Sequence, residues 1–336
     1  MTRPYRIFGM ELSPYSVKVR SYFRYKQIPH EWIVRTPATQ ADYQKYARLP
    51  LVPVVATPED EGLQDSTPIL EAMEARFPEP AIHPEDGALA FLSALLEEFG
   101  DEWGNKWMFH YRWWREADQR SAAARIAEVM LPEDAGAEQK SGAVEMVRQR
   151  MVGRIGFVGS SEATAPQIEA SFRDAMNGLE RHLARRPYLF GHRPAFADFG
   201  LWAQIYECST DPTPGAWLRS HAPNLMRYVE RMLEPKAAGP FEDWDALADT
   251  LTPLLREQVG ARFLPWSDAN ARALAAGEKE LSVELAGETF RQQPQKYHAR
   301  SLRVLRERFA ALPAGDRARL DPVLEGVDCL RWLQAS

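Results

Sequence analysis

The chain has 336 residues, of which 45% are hydrophobic, 26% charged and 11% aromatic, a balance that excludes disorder throughout and allows large buried cores. Its 41 lysines and arginines are dispersed among 47 aspartates and glutamates for a net charge of -6, with no basic stripe, which argues against nucleic acid as a partner. At roughly 100–200 residues per domain, the length suits two domains and an appendage. No run of about 18 apolar residues occurs, so no segment is expected to span a membrane. The start, MTRPYRIFGMELSPYS, lacks an uninterrupted apolar stretch and does not read as a secretion signal. Two cysteines, Cys208 and Cys329, make no disulfide scaffold and suit a reducing cytoplasm, where lone thiols behave as small buried hydrophobes.

In chain order, Tyr5 to Met10 predicts a strand, a polar break at Glu11 to Pro14 follows, and Tyr15 to Tyr25 predicts a helix. His30 to Val34 is a second strand and Gln40 to Ala47 a second helix. The apolar run Val52-Pro53-Val54-Val55 is a strand begun by proline. Thr57 to Gly62 is a turn, Leu63-Gln64 a short strand, and Ser66 to Phe77 a helix. The order βαβαββα within about eighty residues is a small α/β unit. From Asp86 to about Glu234 the pattern is helical, with helices expected over Ala88–Glu116, Glu138–Val152, Ala165–Leu183, Ala195–Glu207 and Pro223–Leu233. In the remainder, helices are expected at Trp244–Val259 and Ala269–Ala276. A hairpin is expected around Leu281–Leu285, and a basic amphipathic helix over Tyr297–Leu312.

Three segments carry chemistry. Ser13 stands where an N-cap belongs and Pro14 at the first helical position. The plain reading is a capped helix. The sharper one is that free N–H groups and a partial positive charge converge where a strand feeds a helix, beside a hydroxyl able to donate to a thiolate and lower its pKa. Two pKa units take roughly 2.7 kcal/mol, within reach of one hydrogen bond to an ion plus a helix terminus. Val52-Pro53 is either an ordinary trans proline at a strand edge or a cis bond that turns the valine's N–H and C=O outward to pair with an extended ligand. Asp65-Ser66 is either a cap or a carboxylate and helix terminus suited to an amino acid's ammonium and carboxylate. Tyr5, Tyr15 and Ser16 are alternative hydroxyl donors near Ser13.

Together, in this order and at these spacings, the three segments resemble the glutathione transferase superfamily over about residues 5–234. The resemblance implies a thioredoxin-like α/β domain at 1–80 and an all-α transferase domain at 85–234; residues 235–336 exceed it and read from their pattern as an α-rich extension with a β-hairpin. Ser13 falls where the serine-type classes place their activating serine and omega-type members a cysteine. Val52-Pro53 matches the Val–cis-Pro that pairs with glutathione's cysteinyl portion, and Asp65-Ser66 the pair that binds the γ-glutamyl group. Gly191-His-Arg-Pro-Ala195-Phe-Ala-Asp198 resembles the family's glycine loop and capping box. The implied protein is a homodimeric cytoplasmic enzyme with glutathione as co-substrate. It would stabilise the thiolate at Ser13 for attack on a small hydrophobic electrophile, in conjugation, isomerisation or ether cleavage. The rival expectation is a non-catalytic module that keeps the fold for protein contacts.

Departures from the family pattern are visible. Ala195 replaces the usual hydroxyl cap, leaving Asp198 as half of the box. Leu51 stands where many relatives carry a residue for glutathione's glycine carboxylate, so Gln40, Lys45 or Arg48 are the substitutes to consider. Phe99, Trp103, Trp107, Tyr111 and Trp114 recur every three or four residues on one helical face. Such a stripe is ordinarily core; the resemblance implies instead an electrophile pocket at Trp107, Tyr111 and Trp103. Gly100 and Gly104 on that helix admit a close helix or a ligand. Lys18, Arg20 and Arg24 are expected on a solvated or inter-subunit face, and Arg300, Arg303, Arg306 and Arg308 on a solvated face or against an acidic partner. The seven histidines show no paired ligand spacing, so no metal site is expected.

Overall fold

The computed structural model describes residues 3–132 and 134–334. Short β-branched and aromatic runs build the first layer: β1 (Tyr5–Gly9), β2 (His30–Val34), β3 (Val54–Ala56) and β4 (Gly62–Gln64) form one sheet in the order β2-β1-β3-β4. β2 is parallel to β1, whereas β3 and β4 are antiparallel to their neighbours. Side-chain alternation divides the apolar residues between the two faces. Ile7 and Val55 join the main core with α1 (Pro14–Tyr25) and α3 (Ser66–Arg76), while Phe8, Val54 and Ala56 pack on Tyr43 and Tyr46 of α2 (Gln40–Tyr46).

The second layer is helical: α4 (Gly87–Glu98), one π-helical stretch (Phe99–Gly104), α5 (Asn105–Trp114), α6 (Glu116–Met130), α7 (Ala137–Val152), α8 (Ala165–Leu183), α9 (Phe196–Thr210), α10 (Pro212–His221) and α11 (Pro223–Arg231). The expected long helix is thus a relay of α4, the π stretch and α5. It ends at Arg115, whose ψ of 142 breaks the chain into α6. That end agrees with the one expected near Glu116, whereas α6, entered without glycine or proline, is a helix the residue pattern does not assign. Gly100 has a helix–helix role: a Cβ there would lie 2.6 Å from the Leu201 backbone, and one on Gly200 2.8 Å from the Glu97 carbonyl. The π stretch is therefore pressed against α9 at a place where neither helix has room for a side chain. Asp198 accepts from the Ala195 N–H at 2.7 Å and the Leu189 N–H at 2.9 Å, so its half of the capping box is made.

The extension contributes α12 (Trp244–Leu254), a π-helical stretch (Leu255–Phe263), α13 (Leu264–Ala276), the hairpin β5 (Leu281–Leu285) and β6 (Glu288–Gln292), α14 (Lys296–Ala310), α15 (Ala314–Gly326) and α16 (Leu330–Gln334). The hairpin turns on Ala286 and Gly287, both at positive φ, the backbone that a two-residue turn requires. α14 and α15 lie along α4, with Arg308 paired to Glu71 of α3, Arg319 to Asp86, and Arg306 to Asp268 of α13. The acidic partners of Arg300, Arg306 and Arg308 are therefore carboxylates of the chain itself, while Arg303, paired with Glu307 of its own helix, keeps the expected solvated place. Among the described residues, no helix is long and apolar enough to cross a membrane.

Candidate functional site

Strand register decides which segments meet. Phe8 of β1 pairs with Val54 of β3, and Val54 with Gln64 of β4, so the end of β1, the start of β3 and the end of β4 share one edge of the sheet. Ser13 follows the first, Val52-Pro53 precedes the second, and Asp65-Ser66 follows the third. Two helices, α1 and α3, begin at that same edge, and their free N–H groups make it a place for anions.

Ser13 is the N-cap of α1 and Pro14 its first residue; the Ser13 Oγ accepts from the Ser16 N–H at 3.3 Å. The hydroxyl hydrogen of Ser13 has no acceptor among the described residues. The Val52–Pro53 bond is cis, and the strand ladder begins only at Val54, so the Val52 N–H and C=O stand outside it. Asp65 sits at φ 84 before α3 without capping that helix through its side chain.

The alternatives to Ser13 are placed less favourably. Tyr5 opens β1, at the opposite end of the strand from Ser13, with its ring edge-on to Phe23 and Phe77. The Tyr15 hydroxyl donates to the Asp101 carbonyl at 3.1 Å, and burial together with nearby Asp101 pushes its pKa well above the usual phenol value. Ser16 is fully buried beside Gly9, its Oγ without a hydrogen-bond partner. Of the residues considered for a glycine carboxylate, Lys45 is engaged by Asp60 at 2.7 Å in the turn at the far end of the sheet, and Gln40 accepts from Arg35. Arg48 is exposed in the loop before Val52, next to Leu51, which is 59% exposed.

Beneath α3 lies a network that pattern alone does not reveal. Lys18 is fully buried, a correction to its expected place on a solvated face. Its Nζ donates to Thr67 Oγ1 at 2.9 Å, Asp101 Oδ2 at 2.6 Å, Glu97 Oε1, and more weakly to Ser66 Oγ at 3.4 Å. Burial alone would lower its pKa, but the Asp101 and Glu97 carboxylates outweigh burial and raise it. The residual signal in the sequence is the four-residue spacing of Glu97 and Asp101, which puts both carboxylates on one helical face. Arg20 and Arg24 are likewise engaged, by Glu11 and by the Leu233 carbonyl.

The aromatic stripe is core. Trp103, Trp107 and Tyr111 are buried among Phe99, Phe172, Phe263 and Trp266, and both indole N–H groups donate to Ser171 Oγ, at 2.9 and 3.0 Å. Ser171 in turn donates to Gln258 of the extension at 2.7 Å. The two indole N–H groups are thus spent on Ser171, and the rings of Trp103, Trp107 and Tyr111 are packed on neighbouring aromatics.

On its open side the site meets the extension. Tyr297 Oη donates to Asp65 Oδ1 at 2.7 Å and Arg300 Nη1 to Asp65 Oδ2 at 3.2 Å. His298 pairs with Glu102, and the Ser301 hydroxyl donates to Glu98. Burial raises the Glu98 carboxyl to about 7, with Asp101 adding to the rise and the Ser301 hydrogen bond opposing it. A folded-state pKa above the unfolded one means that the folded chain holds this proton longer. The contribution is complete below the ordinary glutamate value and is lost as pH rises through about 7. Amide exchange protection of α14 is therefore expected to fall between pH 5 and pH 8, and Glu98→Gln to flatten that fall; equal slopes in both proteins would remove Glu98 as its source.

Residues 7–81 match the family model of the glutathione S-transferase N-terminal domain, and residues 148–231 that of the glutathione S-transferase C-terminal domain. No curated protein matches the chain. Among solved structures, it is similar to a glutathione S-transferase from Methylobacterium radiotolerans in complex with glutathione sulfonate, at 21% identity and a TM-score of 0.42, covering 74% of this chain and 94% of that one. It is also similar to the beta-etherase LigF from Sphingobium, at 16% identity and a TM-score of 0.43, covering 75% and 99%.

Proposed function

From the premise that the chain belongs to the glutathione transferase superfamily, we propose that it is a glutathione-dependent enzyme that activates the glutathione thiol at Ser13. One observation carries the reading: Ser13, Val52-Pro53 and Asp65-Ser66 come to one edge of the sheet, where two helix N-termini also meet. The Ser13 hydroxyl hydrogen, the Val52 backbone and the first N–H groups of α3 are free for the task, while the Asp65 carboxylate is held by Tyr297 and Arg300. The Ser13 hydroxyl hydrogen donates to the sulfur, the Val52 N–H and C=O pair with the cysteinyl backbone, and the start of α3 at Ser66 receives the γ-glutamyl carboxylate, with Asp65 for its ammonium. Glutathione, once bound, supplies a sulfur nucleophile, and the chain's part is to bind, orient and hold that sulfur ionised. The acceptor is a small hydrophobic electrophile, reached by conjugation, isomerisation or ether cleavage, in a homodimeric cytoplasmic protein.

A second reading, a non-catalytic module, is favoured by one observation, the engagement of Asp65 by Tyr297 and Arg300. Retention on immobilised glutathione separates the two. The natural chain is expected to be retained, and Ser66→Ala to weaken binding roughly tenfold, the worth of a hydrogen bond to a charged group. Failure of the natural chain to bind free glutathione at millimolar concentration would leave only the second reading.

A further inference from the structure

We propose that Tyr297 and Arg300 of the extension are a latch on Asp65, which the ammonium group of an incoming ligand must displace, and that these two residues thereby set affinity and selectivity for γ-glutamyl head groups. The inference rests on the reading of Asp65-Ser66 as the γ-glutamyl subsite. Both oxygens of Asp65 are taken, one by the phenol of Tyr297 and the other by the guanidinium of Arg300. A cation of the chain itself thus stands where the ligand's cation would stand. Asp65 does not cap α3 through its side chain, so the carboxylate has no local duty that would compete with either partner.

Space supports displacement over sharing. The cavity bounded by Asp65, Thr67, Asp101, Glu102, Tyr297 and Arg300 measures about 80 Å³. The space is narrow, and an α-amino-acid head with its propionyl arm finds both Asp65 oxygens already held by Tyr297 and Arg300. The two side chains must swing away for such a group to enter. They are free to do so: Tyr297 is 52% exposed and the Arg300 side chain 55%. The helix beneath them need not leave, because Leu302, Leu305 and Phe309 are buried. The backbone of Gln295 is also pinned to Asn270 by two hydrogen bonds, at 2.7 and 2.9 Å. An exposed ion pair contributes little and one phenol–carboxylate bond contributes modestly, so the latch is weak enough for a ligand to open.

The test is calorimetric titration of the full chain and of the double variant Tyr297→Phe/Arg300→Met with glutathione. A parallel titration uses the des-amino analogue glutaryl-cysteinyl-glycine, which brings no ammonium. Freed of the latch, the variant is expected to bind glutathione roughly tenfold more tightly and to discriminate more strongly against the analogue. Equal glutathione affinity in the two proteins overturns the latch while leaving the glutathione site standing. Weaker binding by the variant overturns it also, making Tyr297 and Arg300 ligand-holding residues. Binding by neither protein at millimolar concentration overturns the glutathione reading, and the latch falls with it.

Discussion

Ser13→Ala is expected to raise the pKa of the bound glutathione thiol by about two units, read as the ultraviolet thiolate signal over a pH titration. It should slow the reaction with an electrophile at neutral pH by a smaller factor. Two units leave about a hundredfold less thiolate, but the more basic sulfur is intrinsically more nucleophilic. With a Brønsted coefficient of about 0.4–0.5, that compensation is about six- to tenfold, so the net loss is on the order of tenfold. Above the variant's thiol pKa the deficit should vanish and the more basic thiolate of the variant should react the faster. The same substitution removes the side-chain acceptor for the Ser16 N–H, at a cost of about 1 kcal/mol in stability, so melting and kinetics are measured together. A thiolate titration unchanged by the substitution, with only the stability lowered, would reduce Ser13 to a helix cap. Ser16, whose buried Oγ is unpartnered, would then be the next donor to test.

Lys18→Met should produce the largest loss of stability of any single substitution considered, about 3–5 kcal/mol by urea unfolding at pH 8. Methionine fills most of the volume but leaves Glu97 and Asp101 buried and facing one another without the ammonium between them. Burial already raises the Glu97 pKa, with Lys18 opposing; removing Lys18 raises it further, so the folded variant takes up a proton that the unfolded chain releases. The deficit should accordingly shrink toward pH 5, where protonation relieves the charge, and grow toward pH 8. Adding Glu97→Gln and Asp101→Asn should restore much of the loss. A deficit below about 1 kcal/mol at pH 8 would mean that water reaches these carboxylates and that the network is not dry. The substitution also bears on the site, since Lys18 ties Thr67 and Ser66 at the start of α3 to the π-helical stretch.

Local chemistry explains what was legible. The strands of the first domain announce themselves by β-branched and aromatic runs bounded by proline and polar turns, and the hairpin of the extension by Ala286-Gly287. Ser13-Pro14, Val52-Pro53 and Asp65-Ser66 are read from residue types whose backbone preferences and capping groups act within a few positions. The end of the long helix near Glu116 was legible, but α6 (Glu116–Met130) was not, because no glycine or proline separates it from α5 and its apolar face is weak. Nor was the fate of the aromatic stripe, since periodicity reports that a face is buried but not by what.

By itself, therefore, the amino-acid sequence determined the α/β unit and helical domain, the cap at Ser13, and the likeness of both domains to glutathione S-transferase domains. Tertiary structure alone decided that Lys18 lies buried between Glu97 and Asp101, that Trp103 and Trp107 spend their N–H groups on Ser171, and that Tyr297 and Arg300 reach Asp65. The physical reason is the range of the forces. Capping, turn formation and periodicity act over a few residues, whereas the partner of a buried charge or an aromatic ring is chosen by packing between segments remote in the chain. Asp65 and Arg300 become neighbours because α14 is packed on α13 and α4, with Leu302, Leu305 and Phe309 buried and Phe309 against Phe91 of α4.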